Sequence, residues 1–142
     1  MERAISRFEG EVQLVLYPFV LNPTSEVATQ AALCAGEQGK FWEFHNMLYA
    51  RQASWNRLSN PLPALLEFAP SLGVAASSLN RCVKSGRMKT LINADKTYGR
   101  GLNVRSTPTL FINDRRVVGV QPEADLVRVI RRELARVRQR TS

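Results

Sequence analysis

The chain is poor in the residues that build metal centres and nucleophilic sites. Its 142 residues hold two cysteines, Cys34 and Cys82, and one histidine, His45. That is too few for a four-ligand structural zinc site on this chain alone, so neither a metal nor a cofactor is expected. Long apolar runs are missing too. No stretch approaches the ~20 residues that a membrane span needs, and no membrane span is expected. Acidic residues are in deficit, 12 against 20 Lys and Arg, leaving a formal charge of +8. Such a surplus permits a polyanion partner without requiring one. Low-complexity and disordered composition is excluded by 44% hydrophobic and 23% charged residues, and the length suits one core. Residues 1–10 carry charge throughout, unlike a signal peptide.

The hydrophobic spacing predicts a mixed architecture. Glu2 to Phe8 reads as the end of a helix, stopping at Gly10. Val12 to Tyr17 is dense in β-formers and bounded by Pro18, the pattern of a strand buried on both faces. Helices follow over Val27–Gln38 with Ser25 as N-cap, over Phe41–Gln52, around Leu65–Phe68, from Ser77 to Gly86, and over Met88–Leu102. Then the period changes. Pro108–Ile112 and Arg116–Val120 read as strands around an Asn113–Asp114 turn. A final amphipathic helix carries Leu126, Ile130, Leu134 and Val137 on its apolar stripe. A strand fed by a helix implies a parallel partner earlier in the sheet, and none precedes Glu2.

Two segments carry a resemblance. Ala32 to His45 resembles the helical insertion of DsbA-like thiol–disulfide oxidoreductases, and Gly101 to Asn113 resembles their cis-proline loop and the strand after it. Val12 to Leu21 looks like their second strand and its loop, and Asn80 to Gly86 like a late insertion helix. The resemblance runs in order over essentially the whole chain. It implies an α/β, thioredoxin-like fold with an inserted helical domain, about residues 24–104, within a single partial domain, residues 1–142. It also implies an incomplete sheet, with the first strand absent.

Members of that family work through a Cys-x-x-Cys pair at a helix N-terminus, where the macrodipole favours a thiolate. This sequence has no Cys-x-x-Cys. No catalytic residue is therefore expected, and the chain alone is expected to be inactive. Two origins remain open, a fragment of a longer oxidoreductase or a degenerate homologue. The resemblance implies Thr107 and Pro108 as substrate-binding residues, with a cis bond between them where an ordinary X-Pro bond would be trans. It implies extended or unfolded protein segments as partners, paired as an added strand, and an extracytoplasmic location, periplasmic or secreted.

Cys34 and Cys82 read as a structural disulfide in an exported family; two buried free thiols and a redox-active pair stay open. His45 reads as a packed residue, Phe41, Trp42, Phe44 and Tyr49 as helix core, and Trp55 as a loop residue that faces a partner. Without its neighbour, each strand flanking the missing one exposes an edge. The chain is then expected either to form a homodimer through these edges or to close the gap by pairing them. A redox-inactive peptide-binding or assembly module is the second functional reading. A basic polyanion-binding domain is the third, resting on Arg128, Arg131, Arg132, Arg136, Arg138 and Arg140. A solvated helix face explains those arginines without nucleic acid, which is not the expected partner.

Overall fold

The computed structural model describes residues 2–141. In chain order the helices are α1 (Glu2–Ile5), α2 (Pro23–Gly36), α3 (Phe41–Ala50), α4 (Leu62–Leu66), α5 (Ala76–Ser85) and α6 (Met88–Gly101). Strands β1 (Thr109–Ile112) and β2 (Arg115–Val118) follow, then α7 (Glu123–Thr141). The chain forms two compact units. The helical unit is Tyr17–Gly101, and the sheet unit joins the residues up to Leu16 with those from Leu102 onward. The helical unit begins before residue 24 and ends before residue 104, the bounds that the resemblance implies for the insertion.

In the helical unit, α2 starts earlier than its sequence suggests. Asn22, in extended backbone, caps it by accepting from the Ser25 backbone N–H at 2.8 Å, with Pro23 in the first turn. Proline fits there because the first-turn N–H groups have no intrahelical partner. Ser25 therefore lies inside the helix. Helix α3 has no side-chain cap from Lys40, and Glu43 stands in its first turn. Its hydrogen bond with its own backbone, helped by Lys40, holds that carboxyl below the ordinary value. Helix α5 ends on Gly86, whose φ of 67° is the left-handed conformation that glycine adopts without a Cβ penalty.

The helical core is built from Ala28, Ala31, Ala32 and Ala35 of α2, which let the larger Phe44, Leu65 and Leu79 pack close. Phe44 stands fully buried, as its spacing requires, but Trp42 and Tyr49 are exposed at 37% and 68%. They are not core, because a ten-residue helix turns only one face inward. Trp55 departs from expectation in the opposite direction. It is buried, and its indole N–H donates to the Leu48 carbonyl at 2.9 Å, satisfying an acceptor in the last turn of α3. Trp55→Phe is expected to leave that acceptor unpaired and cost about 1–3 kcal/mol, read as a lower denaturation midpoint with unchanged slope.

In the sheet unit, β1 and β2 form an antiparallel hairpin with Leu110 opposite Val117 and Ile112 opposite Arg115. Asn113 opens the turn with φ 53°, a conformation that asparagine tolerates better than most residues. Beneath the hairpin, Ala4 and Phe8 pack with Leu126, Val127 and Ile130 of α7. Leu110, Ile112 and Val12 join this cluster from above its edge.

Val12–Tyr17 is not a strand. Over Val12–Leu16, burial alternates as in one, with Val12, Leu14 and Leu16 half-buried and Gln13 and Val15 exposed. However, no described backbone group bonds to this stretch, and the sheet contains only β1 and β2. A ladder needs two partners, and here each lacks its neighbour. The gap is therefore not closed by pairing its two sides.

Candidate functional site

The loop from Arg105 to Pro108 leads into β1 and is exposed throughout, while Val104 before it is buried and anchors it. The Thr107–Pro108 peptide bond is cis. Two hydrogen bonds hold the loop from its far side. The Gly119 N–H donates to the Pro108 carbonyl at 2.8 Å, and the Thr109 hydroxyl donates to the Ser106 carbonyl at 2.7 Å. The Arg116 guanidinium ties the loop's root, donating to the Leu102 and Asn103 carbonyls, and lies 5.7 Å from the centre of the Phe111 ring. Thr107 itself has no backbone partner among the described residues. A rigid, exposed loop whose backbone is free at one residue offers hydrogen bonds to an incoming extended chain.

No thiol faces this loop within the sheet unit. Cys34 in the last turn of α2 and Cys82 in α5 are bonded to each other, with Cα atoms 5.9 Å apart and 48 residues between them in sequence. Both are buried. The Glu37 carboxylate lies 3.6 Å from Cys82 Sγ and is itself ion-paired to Arg87. A thiolate at Cys82 would face that carboxylate, and one at Cys34 would sit at the negative end of α2.

The remaining sequence-selected residues lie elsewhere. His45 is packed among Phe41, Trp42 and Tyr49, with ring centroids 5.8, 5.4 and 5.0 Å away. On α7, Arg128 pairs with Asp125, Arg136 with Glu133 and Arg138 with Glu11, so half of the arginine set is engaged within the sheet unit. Sequence reasoning missed Arg116 and Gly119. Their signal was only a long cation and a glycine in a hairpin, which many hairpins share. Among the described residues, no group of His, Cys, Asp and Glu is arranged to hold a metal, and no helix is long and apolar enough to cross a membrane.

An incomplete sheet, a helical unit inserted between its parts and a proline loop at the head of β1 define a thioredoxin-like α/β protein. The thioredoxin family model matches residues 2–132, and the chain belongs to that family. A curated relative is the Na(+)/H(+) antiporter NhaA 1 of Salinispora arenicola, 34% identical over 97 residues, which are 68% of this chain and 14% of the antiporter. The antiporter NhaA 3 of Salinispora tropica is 33% identical over the same shares. A protein of Rickettsia typhi named "Putative protein-disulfide oxidoreductase" is 24% identical over 115 residues, 80% of this chain and 41% of that protein. The chain thus matches about one seventh of the antiporters and two fifths of the oxidoreductase. No solved structure matches significantly.

Proposed function

We propose that the chain is the substrate-facing part of a DsbA-like thiol–disulfide oxidoreductase that works outside the cytoplasm, in the periplasm or as a secreted protein. Extended or unfolded protein segments bind along Thr107 and Pro108, and the chain by itself carries out no disulfide exchange. The observation that carries this reading is the exposed Thr107 backbone, unpartnered at the head of β1 in a thioredoxin-family chain. The name of the Rickettsia typhi relative supports the oxidoreductase class. The buried Cys34–Cys82 bond serves structure, joining α2 to α5. A redox-inactive module that only binds peptides or stabilises an assembly is the second reading, favoured by the absence of a free thiol among the described residues. Where the chain folds alone, the exposed sheet edges bring two copies together as a homodimer.

Two assays test it. Reduced, carboxymethylated α-lactalbumin, an unfolded probe, is expected to bind. Thr107→Pro, which removes the free N–H, is expected to weaken that binding about tenfold, the weight of one or two hydrogen bonds. Unchanged binding would overturn the assigned site. Insulin reduction is expected to stay at the uncatalysed rate; turnover that survives Cys34→Ser with Cys82→Ser would refute the inactivity of the chain. Binding to duplex DNA that collapses with added salt would instead favour the arginine face of α7.

A further inference from the structure

Two of the chain's three tyrosines stand against each other in the helical unit. Tyr17 opens that unit, and Tyr98 lies in the last turn of α6, which closes it. Their ring centroids are 5.5 Å apart with planes tilted by 37°, within contact range for aromatic rings. A second tie holds them there. Lys96, on the same helix as Tyr98, donates from Nζ to the Val20 carbonyl at 2.6 Å, and Val20 is buried. The segment that carries Tyr17 is therefore fastened to the helix that carries Tyr98. Each of the two tyrosines is nonetheless 56% exposed, so a reagent in solution reaches both rings.

We propose that Tyr17 and Tyr98 form an oxidative modification site, where a peroxidase using hydrogen peroxide couples the two rings into a dityrosine staple across the ends of the helical unit. Each phenol gives one electron to the oxidant and releases its hydroxyl proton, leaving a radical shared between the oxygen and the ring carbons beside the C–O bond. The two radicals join through those carbons in one new C–C bond. Each joined carbon then loses its hydrogen as a proton, and each oxygen regains one. The net loss is two electrons and two protons. One hydrogen peroxide takes them up, its O–O bond breaks, and it leaves as two waters.

Proximity selects this pair. Rings already in contact couple in a unimolecular step, whereas radicals on separate molecules must first meet. Tyr49, 68% exposed, is the comparison within the same chain: the ring beside it is His45, at 5.0 Å, which offers no phenol to couple. A free thiol would consume the oxidant first, but Cys34 and Cys82 are bonded to each other. The new bond closes a loop that encloses the one closed by Cys34 and Cys82, and unlike that disulfide it withstands thiol reductants. None of this depends on the peptide-binding reading of Thr107 and Pro108.

The test exposes the full chain, at low micromolar concentration, to a haem peroxidase and hydrogen peroxide. Dityrosine fluorescence and intact mass are then read on the monomer fraction after denaturing gel filtration. The expected product is a monomer lighter by two hydrogens. After reduction and trypsin, the Thr97–Arg100 peptide is expected joined to Phe8–Lys40, the peptide that carries Tyr17. Tyr17→Phe and Tyr98→Phe are each expected to lower the monomer's fluorescence about tenfold or more, and Tyr49→Phe to leave it unchanged. Each variant removes one hydroxyl from an exposed residue, so the fold is not at stake. Dityrosine confined to covalent dimers, a monomer linked through Tyr49, or monomer fluorescence that survives Tyr17→Phe or Tyr98→Phe would overturn the site.

Discussion

Replacing both Cys34 and Cys82 by alanine is expected to destabilise the chain by about 4 kcal/mol, the loop-closure entropy returned to the unfolded chain when a cross-link over 48 residues is lost. Roughly a quarter to four fifths of a small domain's 5–15 kcal/mol of stability is at stake, so a fall in melting temperature of about 10–20 °C is the anticipated reading. The effect is large because of where the bridge lies. It ties α2, the alanine-rich helix at the centre of the helical core, to α5, which lies far along the chain and contributes Leu79 and Val83 to the same core. The alternative of two packed thiols predicts a much smaller loss, since deleting two buried sulfurs leaves only small cavities. Calorimetry of the double variant separates the two. A drop under about 1 kcal/mol would remove the disulfide from the structural account. Oxidised and reduced forms of the unaltered chain should differ by a similar amount, which excludes an effect of the alanines themselves.

Phe44→Ala is expected to cost 3–5 kcal/mol, the range for a fully buried aromatic removed from a packed core. Phe44 has no exposed surface and packs near Phe68, with ring centroids 6.2 Å apart. It shares the helical core with the alanines of α2, short side chains that cannot reach across to fill the space. Collapse around the cavity is therefore limited, and the upper half of the range is anticipated. Tyr49→Ala, on the same helix but 68% exposed, is expected to change stability by less than about 0.5 kcal/mol. Equal losses for the two variants in urea unfolding would contradict the assignment of one face of α3 to the core.

Much of the helical structure in both units is legible in the residues themselves. Apolar positions three and four apart mark α3, α5 and α7, and Gly86 and the prolines mark stops and starts, because these signals act within one or two turns. The hairpin is legible for the same reason, through β-formers on both sides of Asn113 and Asp114. The cap of α2 was harder to read. Asn22 and Ser25 are both good caps, and only the backbone conformation at Asn22 decides between them. Thr107 and Pro108 were legible only through the family resemblance, since Thr-Pro is a common dipeptide and nothing local distinguishes a binding loop from a turn.

By itself, then, the sequence determined the order of the elements, the thioredoxin-like class with its helical insertion, and the absence of a Cys-x-x-Cys pair. The first and last depend on residue identity and short-range spacing, while the class is what the family resemblance of Ala32 to His45 and Gly101 to Asn113 implies. Tertiary structure alone decided which groups have partners. Val12–Leu16 has the composition of a strand, yet it forms no ladder, because hydrogen bonds between strands depend on a neighbour that local sequence does not supply. Trp55 reads as a loop residue but is buried, because the carbonyl it satisfies lies at the end of α3. Trp42 and Tyr49 read as core and are exposed, because the direction in which a short helix turns its faces is set by what packs against it.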